Sequence, residues 1–193
     1  MNSSKDNLKA STKRKIIAIM AIITLAGTSA YAGIDNSVYF SKYHQAEGHT
    51  LELQGTGIKT MLLFDAFAAA FYQSGDFNGD NLGLFPKRIE VEYFITIPGE
   101  RLKNYTVSKM KDNVTREEFK QISGKVELLE EYFVDLEPGD RFSLTYIPGL
   151  GTKFAHNGEL TGIIDGSKFA HALFSVWVGK KPFDKKLKVK IMG

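Results

Sequence analysis

GIKTMLLFDAFAAAFY, from Gly57 to Tyr72, decides the fold. As a β-strand it places Lys59, Met61, Leu63, Asp65, Phe67, Ala69 and Phe71 on one face and Thr60, Leu62, Phe64, Ala66, Ala68, Ala70 and Tyr72 on the other. Ala66 to Ala70 would also suit a helix. Strand is preferred because aromatic neighbours and the flanking Gly55 and Gly57 favour it. Both faces are mostly apolar, so the segment is expected to be a central strand covered on each side. Lys59 and Asp65 interrupt one face. A buried charge needs a partner, a ligand or a route to the strand's end.

Upstream, Lys13, Arg14 and Lys15 precede an apolar run, Ile16 to Ala26, and then Ala30-Tyr31-Ala32. A basic region, a short apolar run and a small-x-small site form the pattern of a secretory signal, so residues 1–32 are expected to be a signal peptide and 33–193 one domain. The run is shorter than the ~20 residues a span requires, so no stable membrane span is expected after cleavage. Removing residues 1–32 takes five of the 25 basic and one of the 22 acidic residues, leaving 20 and 21. That near-neutral balance gives no reason to expect nucleic acid as a partner. The chain has no cysteine, which excludes disulfides and thiol chemistry and suits a bacterial periplasm, the expected location.

Several further elements are expected. Thr50 to Gln54 reads as a short strand, and Gly55-Thr56-Gly57 as a turn feeding the central one. Gly75 to Gly83 reads as a turn-rich loop. Its Asp76, Asn78 and Asp80 lack the closing glutamate of a calcium loop. Lys87 to Ile97 alternates as a strand with Ile89, Val91, Tyr93, Ile95 and Ile97 on one face, ended by Pro98-Gly99. Thr115-Arg116-Glu117-Glu118 is a capping box, and Phe119, Ile122, Val126, Leu129 and Phe133 form the stripe of the helix it opens, with Gly124 expected to bend or divide it. Strands follow around Phe142 to Tyr146, over Thr152 to His156 and over Glu159 to Ile164, the last two joined by the hairpin signal Asn157-Gly158. Asp165 or Ser167 is expected to cap a helix carrying Phe169, Ala172, Leu173, Val176 and Trp177 and ending at Gly179. Leu187 to Met192 reads as a last strand. The class is α+β, an antiparallel sheet with helices on one face.

Chemistry-bearing motifs are few. His44, His49, His156 and His171 lack metal-ligand spacing, and no nucleophile elbow or phosphate loop is present, so no catalytic residue, metal or cofactor is expected.

Gly55-Thr56-Gly57-Ile58-Lys59 with Phe71-Tyr72, then Tyr146-Ile147-Pro148-Gly149 through Gly151-Thr152, Asn157-Gly158, Gly162 and Phe169 to Gly179 with Trp177, resembles in order the bacterial chalcone isomerase-like proteins. That resemblance implies an open-faced β-sandwich: a large antiparallel sheet, helices on one side and an apolar cleft between the layers. In that superfamily isomerases use an arginine and hydroxyl groups to stabilise an oxyanion, while fatty-acid-binding members hold a carboxylate with a similarly placed arginine and a tyrosine. Here Lys59 stands at the arginine position and Phe67 at a hydroxyl position. Lysine is a point charge without arginine's bidentate fork, and phenylalanine offers no hydrogen bond, so anion binding survives the change better than catalysis. The expectation is a non-catalytic protein binding a fatty acid or other amphiphilic small molecule at Lys59, Leu63, Phe67 and Tyr93. An interaction domain without ligand and an intramolecular lyase are the alternatives. Lys59 could equally pair with Asp65.

Overall fold

The computed structural model describes residues 38–75 and 82–193, within the compact unit Val38–Gly193. The expected signal segment, residues 1–32, and the Asp76 to Asp80 part of the expected loop lie outside the described residues.

The strands are β1 (Tyr43–Ala46), β2 (His49–Met61), β3 (Phe64–Gln73), β4 (Lys87–Tyr93), β5 (Arg141–Ile147), β6 (Gly151–His156) and β7 (Glu159–Ile164). They form one antiparallel sheet in sequence order. Between β4 and β5 the chain makes α1 (Gly99–Asn113), α2 (Arg116–Glu127) and the short α3 (Leu129–Tyr132); after β7 come α4 (Ser167–Val178) and α5 (Lys185–Met192). The main core lies between the sheet and the helices: Phe67, Ala69, Phe71, Ile89, Val91 and Tyr93 meet Met110, Ile122, Val126, Phe169, Leu173, Phe174 and Leu187. This is the expected α+β architecture.

The opening segment is two strands, not one. The chain reverses at Leu62-Leu63, Met61 faces Phe64, and β2 and β3 pair antiparallel, with register shifts between Leu53 and Gly55 and between Lys59 and Thr60. The turn was hidden because it carries none of the usual Asn, Asp or Gly. Each half is nonetheless strand, and β3 is covered on both faces as expected of a central strand. Its second face packs Ala68, Ala70 and Tyr72 with Leu51 and Phe40. Beside that cluster the outward residues of β4 and β5 form an ion-pair group, with Arg141 bonded to Glu90 at 2.8 Å and to Glu92 at 2.7 Å.

Gly55-Thr56-Gly57 is not a turn either. It lies within β2, where its missing side chains admit α5: a Cβ on Gly55 would come 2.3 Å from the Lys190 carbonyl oxygen, and one on Gly57 2.7 Å from Leu187 Cδ1. The last element is a helix, not a strand. In Lys185–Met192 the buried residues are Leu187 and Ile191, four apart, while Val189 between them is 71% exposed. A period of two is therefore absent, and the Asp184 carboxylate accepts from the Leu187 amide at 2.9 Å to start the helix.

Other boundaries shift for local reasons. β4 ends at Tyr93, and Ile97 instead bridges Leu136. Gly124 does not divide α2, which continues through it to Glu127. The capping box is present: Thr115 Oγ1 accepts from the Glu118 amide, and the Glu118 carboxylate accepts from the Thr115 amide at 2.7 Å. Gly166 rather than Asp165 or Ser167 is the N-cap of α4, and no side chain caps it; Asp165, one residue earlier, is bonded to Lys125 at 2.8 Å. The Asn157-Gly158 hairpin forms as read, both residues at positive φ, 51° and 86°.

Candidate functional site

Lys59, Phe67 and Tyr93 are brought together by sheet register. Lys59 on β2 is the cross-strand partner of Phe67 on β3, which is the partner of Tyr93 on β4. This row crosses the helix-facing side of the sheet under α1 and α4, and it floors a cavity of about 290 Å³. Leu63 is not part of it. The reversal at Leu62-Leu63 carries Leu63 out to solvent, 89% exposed.

The walls are chiefly aromatic. Phe67 lies 5.7 Å from Tyr93, 6.0 Å from Trp177 and 5.8 Å from Phe183, and Trp177 and Phe183 meet at 5.2 Å, all between ring centroids. Trp177 sits at the end of α4, and Phe183 is in the segment that leads into α5. From α1 come Arg101, Leu102, Tyr105 and Thr106, a stripe with i,i+4 spacing on one helix side. A wall of this kind accepts an apolar body.

Charge is confined to two groups on the lining. Lys59 Nζ donates to Asp184 Oδ2 at 2.5 Å, so it does not pair with Asp65, which accepts from Thr60 Oγ1 at 2.8 Å. Asp184 thereby does two things: Oδ1 caps α5, and Oδ2 neutralises Lys59. Hydrogen bonding from Lys59 first, and from the helix amides, holds the Asp184 carboxyl below its ordinary range. The second cation is Arg101, exposed on the first turns of α1, and it makes no ion pair among the described residues. Tyr93 is fully buried, and burial raises its phenol well above the usual tyrosine value, so it stays protonated at neutral pH.

Arg101 and Asp184 were missed from sequence. Arg101 stands one turn after Pro98-Gly99 and four before Tyr105, a helical spacing that could have flagged it. Asp184 precedes a run whose residues alternate like a strand, and that alternation conceals its capping role. Among the described residues no group of His, Asp and Glu is arranged to hold a metal ion.

The arrangement can enclose an apolar group and offer an anion the Arg101 guanidinium. Structurally the chain is similar to a fatty-acid binding protein of Arabidopsis thaliana, at a TM-score of 0.59 and 12% identity, over 82% of this chain and 93% of that one; at that identity the likeness concerns the fold. No curated protein sequence matches the chain. The family model described as chalcone isomerase-like matches residues 35–193, and with the sheet and helices as they stand, the chain belongs to the chalcone isomerase-like family.

Proposed function

We propose that this is an exported, non-catalytic carrier that binds a fatty acid or similar apolar carboxylate between sheet and helices. The observation that carries the proposal is an aromatic cavity with a guanidinium at its rim that forms no ion pair among the described residues. The apolar chain lies over Phe67 and Tyr93 against Trp177 and Phe183, and the carboxylate meets Arg101, whose planar fork suits it. Lys59 shapes the floor through Asp184 and is the lesser contributor to head-group binding. The 290 Å³ volume lies at the small end of ligand pockets, ~300–1,000 Å³, which favours a short or medium alkyl chain. At roughly 0.8 kcal/mol for each buried methylene, an eight-carbon chain supplies most of the binding energy. The fatty-acid-binding fold neighbour supports the same ligand class.

The test is native mass spectrometry of the purified protein, with organic extraction, followed by titration with saturated fatty acids of increasing length. A co-purifying carboxylate is expected, with affinity peaking at medium length. Arg101→Ala should weaken binding by about 10- to 100-fold, the range for one charge-assisted contact of roughly 1.5–3 kcal/mol. Lys59→Ala should weaken it less. A protein that is empty and takes up no fatty acid of any length overturns the proposal. Export is checked separately by N-terminal sequencing of the chain recovered from its host; cleavage after Ala32 is the expected result.

A further inference from the structure

Three two-residue turns join neighbouring strands of the sheet. Two of them are polar and glycine-bearing, Glu47-Gly48 and Asn157-Gly158, with both residues at positive φ. The third is Leu62-Leu63. Its first residue sits at φ 56°, where a hairpin of this kind normally places glycine, and a leucine there is strained. Nothing among the described residues packs on it, and Leu62 is 98% exposed. The flanking residues are also apolar and exposed: Met61 at 44%, Leu63 at 89% and Phe64 at 72%. Four consecutive apolar residues thus project from a hairpin tip, at a backbone cost that Asn or Gly would remove.

Position suggests what covers them. Met61 also lines the aromatic cavity, so the tip is continuous with its mouth. The register of α5 on β2 places Lys190 over Gly55, Leu187 over Gly57 and Asp184 beside Lys59, so α5 begins at the tip end of the sheet. Lys185 and Lys186, both exposed, lie at that beginning, and exposed Arg101 stands across the mouth. The nearby carboxylates of Asp65 and Asp184 are engaged by Thr60 and Lys59, and Glu100 adds exposed negative charge in the first turn of α1. A projecting tip, apolar on all sides and flanked by cations, fits immersion in an apolar medium beneath anionic groups better than it fits a flat partner that would cover one side.

We infer that the Met61–Phe64 hairpin tip, with Lys185 and Lys186, docks this domain on an anionic phospholipid bilayer and turns the cavity mouth toward it. The inference rests on the carrier proposal only for what passes through the mouth, and the two are separable by experiment.

The chain has no cysteine, so single labels are available. The full chain carrying Leu63→Cys, or as control Glu159→Cys on the Asn157-Gly158 hairpin, is labelled with an environment-sensitive NBD dye. Each is mixed with vesicles of phosphatidylglycerol and phosphatidylethanolamine, or of phosphatidylcholine alone. At position 63 the emission should shift to the blue and rise severalfold with anionic vesicles, and be quenched by spin-labelled acyl chains. At position 159 it should not change. Adding Lys185→Glu and Lys186→Glu should weaken the response by roughly tenfold or more. Leu62→Asn should weaken it too, with unchanged circular dichroism and unchanged uptake of free laurate. No shift at position 63, an equal shift at position 159, or a shift without vesicles that tracks dimer mass in sedimentation each overturns docking. Docking without laurate binding upholds this inference and overturns the carrier proposal alone.

Discussion

At the scale of single residues, Asp184 joins secondary structure to the site. One oxygen starts α5 and the other fixes Lys59, so Asp184→Asn keeps a competent cap and removes only the charge. Because the pair is partly exposed, the loss at pH 7 should be modest, about 1 kcal/mol in urea unfolding. The folded pKa is lowered, so the contribution is complete above the ordinary value of 3.8 and disappears as pH falls through the lower folded value. The stability curves of the wild type and the Asp184→Asn variant should therefore converge in acid. Lys87 shows the opposite sign. It lies 1% exposed, donating to the Phe85 carbonyl and standing 4.6 Å from the centre of the Tyr146 ring, with no carboxylate among its described neighbours. Burial pulls its amine down to about 7 from 10.5. Between those values the unfolded chain holds the proton that the folded one has shed, so stability should rise from pH 7 toward 10.5. Lys87→Met should remove that slope and raise stability at pH 6, as measured by thermal melting across pH.

Among the elements, the contact of α5 with β2 depends on two absent side chains. Gly55→Ala drives a methyl into the Lys190 carbonyl, a backbone atom that cannot yield without moving the helix. A loss of about 1–3 kcal/mol is expected in urea unfolding, and less for Gly57→Ala, whose neighbours are flexible side chains. These elements also show what was legible in the sequence. The capping box, the Asn157-Gly158 hairpin and the alternation of β4 each carry local chemistry that determines local structure; the first two stand as read, and the third holds over Lys87–Tyr93 and stops short of Ile97. The β2–β3 reversal and α5 do not announce themselves. A Leu-Leu turn has no turn chemistry, and Leu187-Lys188-Val189-Lys190-Ile191 alternates like a strand although only every fourth residue is buried. The site was partly readable for the same reason. Lys59, Phe67 and Tyr93 share a cavity through cross-strand register, whereas the period of two that places Leu63 beside them breaks at Met61, where β2 ends. Asp184 and Arg101 come from elements far away in sequence, and only the folded chain brings them to the row.

For the molecule as a whole, β3 divides two environments. Its Phe67 side faces the cavity and helices; its Tyr72 side is sealed by Leu51 and Phe40 beside a group of ion pairs. The proposed ligand and docking functions thus lie on one face and at one end of the sheet. Among the described residues no helix is long and apolar enough to cross a membrane. The sequence contains a single tryptophan, and it is Trp177, packed against Phe67 and Phe183 in the cavity wall. Its emission therefore reports on one place only, and the protein carries an intrinsic optical gauge of cavity occupancy. Filling the cavity with laurate should shift Trp177 emission toward the blue and shield it from acrylamide, and a brominated fatty acid should quench it outright. An emission spectrum indifferent to all three would mean that the indole never meets the chain.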